Sequence, residues 1–234
     1  AGGGAPTAEN ATAQPKVNRL VMAVETPLIE SNENRHLSPP YSWVLRPMYE
    51  HLIGIDPTNG RMAPQLATEW KVEPDGSSFR FKLRGDVQFH GGFGQFTAAD
   101  VVEPWKQVIR DDSLAGSASF WRQVIKDIQV VGPTEAVYAL KRPDGNFLAS
   151  LSGGRSSMEM YSKKAFDQKG PPVDMEAGPL PGTGPYQFKA RAQSQWVRFE
   201  RVPYQHWRAQ PAFPEFEYRH MKEPSTRLAA LLAG

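Results

Sequence analysis

Residues 66–101, LATEWKVEPDGSSFRFKLRGDVQFHGGFGQFTAADV, carry the clearest alternation of apolar and polar positions in the chain. Phe79, Phe81 and Leu83 take turns with Arg80, Lys82 and Arg84, so an extended strand there has one apolar face and one cationic, solvated face. Pro74-Asp75-Gly76 before it is turn chemistry, because proline presets φ and glycine accepts a positive φ. The pattern predicts a hairpin closing Trp70–Val72 onto Phe79–Leu83. Thr97-Ala98-Ala99-Asp100 then predicts a helix start, with Thr97 as N-cap and the Asp100 carboxylate near the positive end of the helix dipole. That helix is expected to run from Thr97 to Arg110, with Pro104 bending it or ending its first part.

The remaining elements follow from the same periodicities. Val17–Val24 is rich in β-branched and apolar residues and predicts a strand, followed by a polar loop from Glu25 to Ser38. Within Tyr41–Ile53, the positions Val44, Leu45, Met48, Tyr49 and Leu52 recur at helical spacing and predict an amphipathic helix, with Pro47 marking a kink or a fresh start. Asp56–Gly60, DPTNG, is a tight turn with too few carboxylates for a calcium site. Phe120–Ile125 reads as a short helix, and Ile128–Val131 with Ala136–Leu140 as a hairpin turning at Gly132-Pro133-Thr134. Asn146–Leu151 and Lys163–Phe166 are short helical pieces. Proline and glycine crowd Gly170 to Gly184, which forbids regular structure and marks a hinge-side crossing between compact units. Beyond it, Tyr186–Phe188, Trp196–Arg201 and Glu215–Met221 read as strands and Ser225–Leu232 as a helix ending at Gly234.

Composition narrows the partners. With 40% hydrophobic and 22% charged residues over 234 positions, the chain can bury one large or two modest cores. A formal charge of +2 with dispersed Lys and Arg gives no basic stripe, so nucleic acid is not an expected partner. The absence of cysteine excludes disulfides, thiolate metal sites and cysteine nucleophiles. Residues 1–16, AGGGAPTAENATAQPK, are small, polar and aperiodic, and read as a flexible tether.

Catalytic patterns are missing. His36, His51, His90, His206 and His220 are widely spaced with no HxH or HExxH arrangement, so no zinc site is expected. The chain has no GxSxG, no Ser-x-x-Lys and no phosphate-cradling GxxxxGK[ST], and no carboxylate pair is placed for work at a scissile bond. No cofactor is implied.

The ordered set MYEHLIGIDPTNG, LATEW, DGSSFRFKLRGDVQFHGG, TAADV, PLPGTGPYQF, RVPYQHW and EPSTRLAALLAG, spread over Val17 to Gly234, resembles the family 5 extracellular solute-binding proteins. These are receptors of bacterial ATP-driven importers for peptides, dipeptides and nickel. The resemblance implies a mixed α/β (α+β) architecture: a periplasmic-binding-protein-like type II first lobe with an inserted α/β subdomain. Residues 17–48 and 181–234 would form the discontinuous, sheet-containing lobe and 49–180 the subdomain. The family's second lobe would be absent from these 234 residues, leaving half a cleft and weak solute binding. The resemblance further implies a periplasmic or extracellular protein, lipid-anchored through a lipidated cysteine ahead of Ala1, with residues introduced by expression as the other explanation of the N-terminus.

By the same resemblance the chain is a monomeric receptor that captures a small, peptide-like solute by hinge closure and hands it to a membrane permease. A sensory or chaperone-like binding protein on this scaffold, or an enzyme built on it, are the alternatives. The resemblance directs attention to the loop after the first strand, where Glu25, Thr26, Glu30, Asn32 and Tyr41 lie, with a solvated loop as the plain alternative. In the subdomain, Trp121 of SFWRQVI and Arg155 of SGGRSSMEMY occupy positions that can face the cleft. Trp121 could equally be core. The Arg155 guanidinium could pair bidentately with a carboxylate on a peptide or a metal chelate.

Overall fold

The alternation at Phe79–Leu83 becomes the middle of a four-stranded antiparallel sheet. The computed structural model describes residues 17–25, 31–32, 44–154 and 158–233. Strand β1 is Arg19–Val24, β2 Ile53–Ile55, β3 Met62–Pro64, β4 Ala67–Val72 and β5 Ser78–Leu83. Helices α1, Ala99–Val108, and α2, Ala118–Val124, follow, then β6, Ile125–Gly132, and β7, Glu135–Leu140. Phe79, Phe81 and Leu83 are buried while Lys82 is exposed and Arg80 is partly so. The expected hairpin has Trp70 opposite Phe81 and Val72 opposite Phe79. Its turn is locked by Asp75, whose carboxylate accepts from the amides of Ser77 and Ser78 and the Ser78 hydroxyl, while Gly76 takes φ +68°. The strand order in this sheet is β4-β5-β7-β6. On its polar face Arg80 bridges Glu73 at 2.6 Å and Glu135 at 2.5 Å, joining the hairpin to β7.

Helices α1 and α2 cover the apolar face, and Trp105, Trp121, Tyr138 and Phe147 meet in the core below them. Two details of α1 differ from expectation. The helix begins at Ala99, and Thr97 does not cap it; instead the Thr97 amide and hydroxyl both donate to the Asp100 carboxylate, at 2.8 and 3.0 Å. The helix also runs through Pro104 to Val108, so Pro104 removes one amide donor from the ladder without ending the element. Helix α3, Phe147–Ala149, passes into a wider turn over Ser150–Gly154, and α4 spans Lys163–Lys169 behind a Ser162 N-cap.

A second sheet is built from the two ends of the described chain. Strands β8, Tyr186–Ala192, β9, Trp196–Arg201, and β10, Glu215–His220, are antiparallel neighbours, and β1 joins β10 in parallel in the order β1-β10-β9-β8. Helix α5, Pro224–Ala233, follows β10. This sheet packs Phe199, Phe216 and Tyr218 against Val44, Leu45, Met48 and Tyr49, in a core separate from the one under β4–β7. On its opposite face Glu217 is fully buried beneath Arg19, Arg198 and Arg219, with Arg198 stacked on Trp196.

The Tyr41–Ile53 helix is corrected. Among its described residues, Val44 and Leu45 form one tight helical turn, after which the chain straightens: Glu50 bridges Met160 and Ile53 opens β2. Pro47 cannot supply an amide to a helical ladder. The carbonyls of Pro47 and Met48 are taken by the amides of Tyr186 and Gly184. The tight turn expected at DPTNG closes a β2–β3 hairpin whose short strands carry no alternation of their own, and whose first residue, Ile53, ended the expected helix.

The proline- and glycine-rich crossing contains no regular element, as expected, yet the carbonyls at its end are all bonded. Every carbonyl from Leu180 to Pro185 accepts from elsewhere in the chain: in order, from the Tyr49 hydroxyl, the Ser162 and His90 amides, His206 Nε2, His90 Nε2 and the Val202 amide. The strap runs between the two cores and fixes the strand Tyr49-Glu50-His51 from which the candidate site is built.

Candidate ligand-facing site

Extended backbone at Tyr49-Glu50-His51 sends successive side chains in alternating directions. Glu50 points into the protein and is fully buried. Its Oε1 accepts from Arg208 Nε and Nη2 at 2.9 and 2.8 Å, and Trp207 Nε1 donates to Oε2 at 3.1 Å. His206 Nε2 stands 3.7 Å from the same oxygen. Burial alone would raise this carboxyl, but His206, the charge of Arg208 and the Trp207 donor outweigh it and hold Glu50 below the usual carboxylate range. His206 Nδ1 accepts from the amides of Arg208 and Ala209 while its Nε2 donates to Thr183 O, which fixes the orientation of the ring. Arg84 stacks on the Trp207 ring at 3.9 Å.

His51 lies on the other side of the strand and lines an open cleft of about 500 Å³, to which the β2–β3 hairpin, Arg46, Tyr49, Ser152 and Arg208 also contribute. The ring is nine-tenths buried. Burial, reinforced by the charge of Arg46 and only partly opposed by Glu50, lowers its pKa to about 4, so it is neutral near pH 7. Its Nε2 has no hydrogen-bond partner, and Oε1 of the buried Glu159 stands 4.0 Å away. Tyr49 is held protonated by burial, assisted by the charge of Glu159, and its hydroxyl donates to Leu180 O at 2.8 Å. The cleft therefore brings together the Arg46 and Arg208 side chains, a neutral imidazole and a hairpin that presents Ile55, Pro57 and Pro64 beside Asp56 and Gln65. Among the described residues no cluster of His, Asp and Glu is suited to a metal ion.

The residues singled out from the sequence are dispersed. Glu25 is exposed; its carboxylate pairs with Arg227 at 3.3 Å and its carbonyl meets His220 Nε2, tying the end of β1 to α5. Asn32 is buried, donating to Asp174 O at 2.7 Å and accepting from Arg191. Trp121 is fully buried in the core on α2, against Phe120. Thr26, Glu30, Tyr41 and Arg155 lie outside the described residues. Glu50, His51, Glu159 and Arg208 were missed. The helical reading of MYEHL put Glu50 and His51 on a solvated face, so their burial left no signal in the periodicity; an acid beside a histidine in an apolar run was the available hint.

Residues 61–234 match the family described as bacterial extracellular solute-binding proteins, family 5 Middle. The chain belongs to this family. Among curated relatives of this family 5 chain, the probable di/tripeptide-binding protein 5 of Pseudomonas aeruginosa (strain UCBPP-PA14) is 27% identical over 205 residues, covering 80% of the chain and 38% of the relative. The probable ABC transporter periplasmic-binding protein SapA of Escherichia coli (strain K12) is 27% identical over 203 residues, covering 80% and 37%. The family 5 chain thus spans under two fifths of the length of these relatives. Among solved structures, the periplasmic binding protein DppA from Helicobacter pylori in complex with the peptide STSA superposes with a TM-score of 0.78 at 24% identity, over 92% of this chain and 45% of that one. NikZ from Campylobacter jejuni in complex with Ni(L-His) gives 0.80 at 24% identity, over 93% and 42%. These likenesses establish the fold as mixed α/β of the periplasmic binding protein type II kind.

Proposed function

We propose that this chain is the solute-facing first part of the receptor component of an ATP-driven importer, which captures a small peptide-like solute in a cleft and delivers it to a membrane permease. The observation that carries the reading is the match of residues 61–234 to a family of extracellular solute-binding proteins, together with relatives named for di- and tripeptide binding. A division into a discontinuous lobe, 17–48 and 181–234, and an inserted subdomain, 49–180, is supported by two separate cores, one under each four-stranded sheet, with Tyr49, Tyr161, Ala165 and Leu180 of the subdomain range packing into the lobe's core. Residues 1–16 would tether the receptor at the outer face of a membrane, in the periplasm or outside the cell. No helix among the described residues is long and apolar enough to cross one.

The receptor works as a monomer that binds and releases without bond chemistry. Binding against one wall alone is weak, because most of a solute's burial needs a second wall. Of the residues expected to line the site, Glu25, Glu30 and Arg155 are the ones whose charges could orient a zwitterionic solute. The test is mass spectrometry of whatever co-purifies with the full-length protein, followed by calorimetry with that compound. A short peptide with a measurable affinity supports the reading. A full-length protein that retains no solute, and takes up no heat from di- and tripeptide mixtures, sinks it.

A further inference from the structure

We propose that β1 is an edge strand only within these 234 residues, and that in the full receptor a further strand of the same polypeptide runs parallel to it and closes that side of the sheet. The inference rests on the family membership and not on the identity of the solute. Backbone direction shows which groups of β1 are unused. The carbonyls of Asn18 and Val24 accept from the amides of Glu215 and Met221, at the two ends of β10, and an extended chain alternates its sides. Leu20 and Met22 therefore bond towards β10, while the amides and carbonyls of Arg19, Val21 and Ala23 face away from it. Among the described residues those outward groups meet no backbone partner, and β1 ends the strand order of its sheet.

Uncovered apolar surface gathers at the same place. Leu20 and Met22 sit opposite Phe216 and Tyr218, which are buried in the core of this sheet, yet they leave 40% and 46% of their own surface in water. Val21, opposite Glu217 on the other face, leaves 42%. Helix α5 follows β10 and has no buried residue, with Leu228, Leu231 and Leu232 exposed at helical spacing. Its Arg227 holds Glu25, next to the end of β1. A strand and the helix after it begin a β-α-β unit, whose next strand lies parallel in the same sheet. Both sides of β10 are taken, by β1 and β9, which leaves that strand only the outer edges. At the far edge, β8, the register shifts between Phe188 and Ala190 and the charged Lys189 is exposed, features that oppose further pairing. The register of β1 is unbroken, and its exposed side chains Leu20, Val21 and Met22 are apolar on both faces. The receptor's own chain is the occupant that fits: the matched stretch is 38% and 37% of the two curated relatives, so more than three fifths of each lies outside it.

The test is amide hydrogen exchange in the full-length protein, with the 234-residue chain beside it. In the full-length protein the Val21 and Ala23 amides should exchange at least about a hundredfold below the rate of an unprotected amide, at every protein concentration and with or without added solute. In the 234-residue chain they should exchange near the unprotected rate while Met22 is slowed. Val21→Pro removes an amide that β10 does not use, so it should leave the urea midpoint of the 234-residue chain unmoved and lower that of the full-length protein. Fast exchange of Val21 and Ala23 in the full-length protein, or a full-length Val21→Pro variant that unfolds like the parent, would overturn the proposal. So would protection that rises with concentration, which makes a second copy the occupant, or protection that appears only with added di- or tripeptides, which makes the edge a solute site. Exchange in the full-length protein is decisive even where the shorter chain fails to hold its fold. A full-length protein that retains no solute would sink the receptor reading and leave this pairing untouched.

Discussion

A β-carbon on Gly184 would lie 2.5 Å from the carbonyl oxygen of Pro47 and 2.8 Å from the carbonyl carbon of Met48. The approach is this close because the Gly184 amide donates to Met48 O at 2.9 Å, drawing the two backbones together. Gly182 is placed closer still to Met48. Both contacts are with main chain, which cannot rotate out of the way as a side chain can. Gly184→Ala and Gly182→Ala should each destabilise the fold by about 3 kcal/mol, read as a lower urea midpoint at an unchanged slope. Gly92→Ala has open space around it and only a φ of +74° to overcome, so it should cost about 1 kcal/mol. Equal losses at the three sites would show that close approach is not what those glycines serve.

Glu50 is the buried anchor of the loop that carries His206, Trp207 and Arg208. Glu50→Gln leaves Arg208 without its countercharge, and Glu50→Ala removes every acceptor at once. The second should cost about 3–5 kcal/mol, as for a buried pair broken from one side. Circular dichroism melts would register it. A loss under 1 kcal/mol for Glu50→Ala would mean that the cluster contributes little net stability.

Acid should weaken the fold in two stages. His51 and His90 ordinarily titrate near 6.5 and are lowered to about 4 by burial, so between these values the unfolded chain binds protons that the folded chain refuses. Stability therefore falls as pH drops from 6.5 to about 4, by roughly 3 kcal/mol for each histidine at 1.36 kcal/mol per unit. Glu50, held below its ordinary 4.5, adds a loss as pH falls through its folded value. Asp100, raised by burial, works in the opposite direction over the same acidic range. Urea midpoints between pH 7 and 4 should decline, and His51→Gln should flatten the decline. An unchanged slope in that variant would rule out His51 as a contributor.

Tyr138 is fully buried with no hydrogen-bond partner for its hydroxyl. Burying an unsatisfied hydroxyl costs about 1–3 kcal/mol. Tyr138→Phe should therefore be neutral or stabilising, while Trp121→Ala, in the same core, should cost about 3–5 kcal/mol through the cavity it opens. Thermal unfolding distinguishes the two directions. A clear destabilisation by Tyr138→Phe would reveal a partner for that hydroxyl.

The sequence made the strands legible where burial alternates and left them hidden where both faces are occupied. Phe79–Leu83 could be read because its outer face, Arg80 and Lys82, reaches solvent. Trp196–Arg201 kept its expected bounds for the same reason, with Val197 and Phe199 inward. Residues 44–53 deceived because their apolar spacing comes from packing against two cores in succession, Val44 to Tyr49 on one and Leu52 and Ile53 on the other, and not from one helix face. Whether Pro104 bends α1 or ends its first part was open in the sequence, because periodicity does not reveal that α1 is held by burial on its inner face. The site was the least legible part. Glu50 meets Arg208 across 158 residues, and His51 meets Glu159 across more than a hundred, so no local pattern could pair them.

The strap from Leu180 to Pro185 has a mechanical consequence. With six successive carbonyls tied to five neighbours, His90 holding two of them, any bending there would have to give up several bonds together, so this crossing behaves as a weld and not as a pivot. Any larger movement of the protein is then expected to leave the two sheets in their present relation to one another.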